Sequence, residues 1–114
     1  MSKINHEITL EQAVKMVTSF RQQLSEILQP DYTGALPFAE TFDKAVFETL
    51  VAESGCESVR AYLGLDENKQ VRLIFTGVNA NGDDILPESG GAIFEIGSRC
   101  PPFCSKGPLN PSVT

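Results

Sequence analysis

Near the N-terminus, apolar residues recur at Leu10, Ala13, Val14, Val17, Phe20, Leu24, Ile27 and Leu28. Steps of three and four place them in one stripe of a 3.6-residue helix, with Glu11, Lys15, Arg21, Gln22 and Glu26 on other faces. Thr9 followed by Gln12 makes a capping box, and Ile8 can staple onto Ala13. Pro30 cannot continue a helix, so the spacing predicts a helix over about residues 10–28. Asp31 to Phe38 is a connector, punctuated by Gly34 and Pro37. A second helix is expected after Thr41 or Asp43. With Asp43 as its cap, Phe42 falls at the staple position opposite Phe47. Val46, Phe47, Leu50 and Val51 share a face, and Gly55 ends the element.

The period then changes from 3.6 to 2. From Ser58 to Leu65, Val59, Ala61, Leu63 and Leu65 point one way, and Ser58, Arg60, Tyr62 and Gly64 the other. The next run sets Val71, Leu73 and Phe75 against Arg72, Ile74 and Thr76. For both apolar sets to share a face, Leu63 must oppose Leu73 and Ala61 must oppose Phe75, because a one-residue slip inverts a strand. The turn Asp66-Glu67-Asn68-Lys69 must therefore close an odd loop, or a four-residue loop with a bulge. Asn81-Gly82 is a strong hairpin signal, since both residues accept positive φ. Asp83 to Leu86 can return as a short strand stopped by Pro87. Ala92, Phe94 and Ile96 alternate with Ile93 and Glu95 as a last strand.

Helices followed by strands imply an α+β fold. The expectation is two N-terminal helices packed on one face of a three- to four-stranded antiparallel sheet, in the order ααβββ. Residues 1–104 form a single domain, and residues 105–114, with Pro108 and Pro111, a flexible tail.

Composition narrows the function classes. With 114 residues, the chain fits one domain that can be stable without metal or disulfide. Nine basic against fifteen acidic residues leave a net charge of −6, and the basic ones are scattered along the chain. That argues against nucleic acid as a partner, which requires clustered Lys and Arg. No apolar run approaches membrane-spanning length, and Met1 to Glu7 contains no signal-like apolar segment. The expected location is cytoplasmic, without membrane contact. Three cysteines, an odd count, fit a reduced chain better than a secreted disulfide scaffold.

Most of the candidate chemistry lies in Cys100-Pro101-Pro102-Phe103-Cys104. Three readings stand. The first is a stiff turn carrying two thiols, one or both tucked into a core edge. The second is a disulfide closing a tiny loop, which a cytoplasmic location opposes. The third is half of a zinc site, with Cys56 as a third ligand beside Cys100 and Cys104. The spacing is not Cys-x-x-Cys, and no helix start follows to lower a thiol pKa. His6 is the only histidine and sits in a polar stretch, where a solvated role is the ordinary one. Asn79 to Asp84 superficially resembles a calcium loop, but its glycine falls at the fourth place rather than the sixth. No phosphate-binding glycine motif is present.

A candidate interface is the polar face of the hairpin, where Arg60, Tyr62, Arg72, Ile74 and Thr76 fall together. Arg and Tyr are enriched in interfaces, and a homodimer or another protein partner fits. Ile8-Thr9-Leu10-Glu11-Gln12-Ala13, the run from Gly55-Cys56 to Leu65-Asp66, and Arg99-Cys100-Pro101-Pro102-Phe103-Cys104 resemble a group of short, uncharacterised bacterial proteins with a Cys-Pro-Pro-x-Cys ending. That group has no assigned activity, so the resemblance implies a bacterial, intracellular setting and no catalytic residues. The expected function is a non-enzymatic interaction or self-associating module. The alternative is a thiol-redox or metal-binding protein built on the cysteine turn.

Overall fold

The computed structural model describes residues 6–112. Helix α1 spans Leu10–Ile27 and starts with the predicted box: the Gln12 amide donates to the Thr9 hydroxyl, and the Thr9 amide donates to Gln12 Oε1. After a 3-10 turn at Pro30–Tyr32, a short strand β1 (Ala39–Thr41) precedes helix α2 (Lys44–Val51). Asp43 holds the cap position of α2, yet its carboxylate makes no capping bond. Strands β2 (Cys56–Leu65) and β3 (Val71–Asn79) form the central hairpin. The chain then runs through β4 (Asp84–Ile85), a 3-10 turn at Pro87–Ser89, β5 (Ile93–Phe94) and β6 (Ser98–Cys100).

The architecture is α+β, with two helices, a four-stranded antiparallel sheet and a two-stranded one among the described residues. The order departs from ααβββ. β1 intervenes between the helices, and it pairs with β6 rather than with the hairpin. Neither strand was legible, because Ala-Glu-Thr and Ser-Arg-Cys are too short to show a period. In the larger sheet, β2 pairs with β3, whose other edge takes both β4 and β5.

The register of the hairpin is the expected one: Leu63 opposes Leu73, and Ala61 opposes Phe75. The closing loop is odd, Glu67-Asn68-Lys69, flanked by an Asp66 amide that donates to the Gln70 carbonyl at 3.0 Å. Lys69 takes φ +60°, the left-handed position such a loop requires. The second hairpin uses the same design. Its loop is Ala80-Asn81-Gly82 with Gly82 at φ +84°; Asn81 is not left-handed, so this is not the two-residue primed turn that Asn-Gly suggests. In both loops the leading Asx side chain substitutes for missing ladder bonds. Asp66 Oδ1 accepts from the Asn68 and Gln70 amides, and Asn79 Oδ1 from the Asn81 and Asp83 amides.

β5 is shorter than the alternation of Ala92, Phe94 and Ile96 implies. Ile96 turns to φ +71° and is exposed, so the pleat stops at Phe94. A β-branched residue with positive φ is sterically costly.

The core is built where α2 meets the sheet. Phe42 and Phe47 both pack edge-on against Phe75, with centroids 4.9 and 5.2 Å away, instead of stapling only to each other. Leu50 is fully buried, while Val51, expected on the same face, is largely exposed. Gly77 permits the close approach of the end of α2 and the turn that follows it: a Cβ there would lie 3.5 Å from the Leu50 carbonyl oxygen and 2.5 Å from Glu53 Oε1.

α1 is placed differently from the expectation. None of its residues is buried, and it has no extensive contact with any strand or with α2. It lies instead along the connector and the C-terminal segment. The Arg21 guanidinium stacks over the Phe38 ring at 4.1 Å and donates to the Pro111 carbonyl at 2.7 Å. Residues 105–112, expected as a tail, carry turns held by Ser105, Gly107 and Asn110.

Candidate functional site

The register places Arg60 opposite Thr76, Tyr62 opposite Ile74 and Gly64 opposite Arg72. The five candidate interface residues therefore share one face of the sheet, as their parity predicts. Most of their polar capacity is spent inside the molecule. Asp84 on β4 is the hub. Its Oδ1 accepts from Arg60 Nη1 at 3.0 Å and from the Thr76 hydroxyl at 2.9 Å, and its Oδ2 accepts from the Tyr62 hydroxyl. Arg60 Nη2 also donates to the Gly82 carbonyl. The hydrogen bond from the Tyr62 hydroxyl is the largest influence holding the Asp84 carboxyl below its usual range, and a separate bond, which Arg60 Nη1 donates to the Tyr62 oxygen at 3.5 Å, is the largest influence raising the Arg60 guanidinium.

Arg72 ties β3 to the chain ends of two other strands. Its Nε donates to Glu95 Oε1 at 2.9 Å and its Nη2 to the Gly97 carbonyl, and Glu40 Oε2 lies 3.7 Å away. The Ile96 amide, ahead of Arg72, holds the Glu95 carboxyl low. Only 17% of the Arg72 side chain is exposed, and Thr76 is 3% exposed. These two offer a partner almost nothing in this conformation. Tyr62 and part of Arg60 remain at the surface, and Ile74 is half-buried.

The opposite face carries the feature that the sequence reading did not anticipate. Leu63 is 76% and Leu65 58% exposed, and Ala61 is exposed too. This apolar face was expected under two helices. A length argument could have warned of the gap. An eight-residue helix is about 12 Å long at 1.5 Å per residue. A ten-residue strand runs about 33 Å at 3.3 Å per residue. α2 covers the Phe75–Gly77 end and leaves the turn-proximal end bare.

The whole chain exposes more surface than its size requires. Its accessible area is 8,618 Å², against about 6,100 Å² for a folded monomer of its mass. Counting the seven residues outside 6–112 as extended chain accounts for at most about 1,100 Å², which leaves an excess of about 1,400 Å². The radius of gyration, 16.3 Å, likewise exceeds the roughly 13 Å of a compact domain this long.

Cys100 and Cys104 form a disulfide. Cys100 is buried on β6 opposite Ala39, while Cys104 lies on the surface. Paired sulfurs are not thiolates and do not ligate a metal in that state. Cys56, the proposed third ligand, starts β2 in the other sheet, opposite Asn79, and its thiol donates to the Ser58 carbonyl. Among the described residues, no group of three or more His, Cys, Asp or Glu converges as a metal site. His6 is exposed ahead of α1.

Neither a family model, nor a curated protein, nor a solved structure matches this chain.

Proposed function

We propose that this chain is a non-enzymatic interaction module that associates with a second copy of itself. One observation carries the reading. An uncharged apolar sheet face, Ala61, Leu63 and Leu65, lies bare on a chain with about 1,400 Å² of surface beyond a monomer's share. A standard interface buries about 800 Å² per partner, so the excess is of the size an interface removes. The finer fold expectation, both helices layered on sheet faces, is part of the same proposal, with α2 covering its own sheet. The setting proposed is bacterial and cytoplasmic, in line with the resemblance and the acidic charge. Among the described residues, no helix is long and apolar enough to cross a membrane. Sedimentation across a wide concentration range is expected to show a dimer. A strict monomer at the highest concentrations would overturn the reading.

A second reading is favoured by the disulfide. A bonded Cys100–Cys104 pair, in a chain whose third cysteine, Cys56, is free and lies in the other sheet, suits a thiol-redox protein, and its presence sits poorly with a purely structural role in a reduced cytosol. Thiol titration in denaturant is expected to find one reactive thiol before reduction and three after. Three before reduction, or zinc by elemental analysis, would count against it.

A further inference from the structure

Two apolar surfaces in this chain lack partners, and they match each other in kind. One is the sheet face over Ala61, Leu63 and Leu65. The other is on α1. Its side toward Val17, Leu24 and Leu28 is half-buried, and the connector residues Pro30, Gly34, Pro37 and Phe38 adjoin this part of the helix. The outer edge of the stripe is open: Met16 is 66% and Ile27 57% exposed, with Phe20 between them. Met16, Phe20, Gln23 and Ile27 follow steps of four, three and four, so they form one row along the helix. They line a shallow groove together with Lys15 and Ser19.

From this geometry we infer that the Met16–Phe20–Ile27 row of one copy seats on the Ala61–Leu63–Leu65 face of a second copy, with the reciprocal contact completing a two-fold dimer. The inference rests on the self-association reading and adds the surfaces. Three observations select a second copy as the occupant. Every chain carries both halves, so one symmetric contact covers both and leaves no open end to propagate. A helix stripe on a sheet face is the ordinary way such layers are completed, and here α1 does not complete it within its own chain. The sheet residues that would be covered, from Ala61 to Leu65 and Val71 to Leu73 on this parity, include no charge. No carboxylate of the sheet half therefore faces the partner, Lys15 is the charged residue of the helix groove, and the Arg60–Asp84 network stays on the reverse face.

The test uses the full chain. Leu63→Glu and Met16→Glu, each at an exposed position, should leave far-UV circular dichroism unchanged. Each should weaken dimerisation by at least about tenfold, since each buries an unpaired charge on assembly. In a Cys56→Ser background, mixing Met16→Cys protein with Leu63→Cys protein under mild oxidation should give a cross-linked dimer containing one of each. A dimer that ignores both charge substitutions and yields no mixed cross-link overturns the assigned surfaces while leaving self-association standing. A wild-type monomer overturns both. A monomer in which the Met16→Cys/Leu63→Cys double variant cross-links internally shows that α1 closes on its own sheet, which also overturns the inference.

Discussion

Leu50→Ala is the sharpest probe of where this fold holds its stability. Leu50 is the only large side chain that is fully buried among the described residues, at 0% exposure. It lies on α2 where that helix meets β2 and β3, with its carbonyl beside Gly77. Truncating a buried leucine removes its transfer free energy and leaves a cavity, for a total of about 2–5 kcal/mol. The lower half of that range applies here. Phe47 is more than one-third exposed, and the neighbouring Phe42 and Val46 are only half-buried. The pocket can therefore shrink around the missing methyls, and we expect a loss of about 2–3 kcal/mol. Val51→Ala is the matched control. It lies one residue on, is 61% exposed, and should cost no more than about 0.5 kcal/mol. Urea unfolding followed by circular dichroism reads both. With a slope of about 1–1.5 kcal/mol per molar, Leu50→Ala should lower the midpoint by roughly 2 M at unchanged slope. Protein concentration must be the same throughout, because association adds to apparent stability. Equal losses for the two variants, or less than about 1 kcal/mol for Leu50→Ala, would refute the placement of the core under α2.

Other perturbations address the turns, the ion pairs and the disulfide. Asp66→Ala removes the acceptor for the Asn68 and Gln70 amides and should cost about 1 kcal/mol. Lys69→Asn relieves part of the strain of φ +60° and should raise the urea midpoint modestly, because Asn tolerates the left-handed region. Asp84 and Glu95 have folded-state pKa values below their ordinary ones. Their stabilisation is therefore complete above the normal carboxylate range and is lost as pH falls through the lowered values. Unfolding midpoints should drop on acidification below that range, and Asp84→Asn should flatten the drop. Opening the Cys100–Cys104 loop, with a sequence separation of four, should cost no more than about 2 kcal/mol by loop-closure entropy. Melting with and without a dithiol reductant measures it, and a much larger loss would mean that the bend organises β6 and β1.

How much of this was legible in advance follows from the range of the forces involved. The capping box at Thr9 and Gln12, the reach of α1 and the hairpin register are local matters. Side-chain spacing and strand parity decide them, and the structure agrees in each case. The same is true of the shared face of Arg60, Tyr62, Arg72, Ile74 and Thr76. What that face does is another matter. Asp84 enters it from a two-residue strand that carries no readable period, and it draws Arg60, Tyr62 and Thr76 into the molecule's own hydrogen-bond network. The pairing of β1 with β6 was likewise hidden, because three-residue strands find each other through tertiary placement rather than pattern.

The hydrophobic pattern by itself determined which residues of α1 and of the hairpin are apolar and which way each points. Whether those surfaces meet within one chain was decided only by the tertiary structure. α2 is too short to cover a ten-residue strand, and the connector after Pro30 holds α1 against Phe38 instead of the sheet. Burial depends on how elements are positioned in space, and periodicity reports only the side on which burial is wanted. The bare Ala61–Leu63–Leu65 face is where that difference is visible.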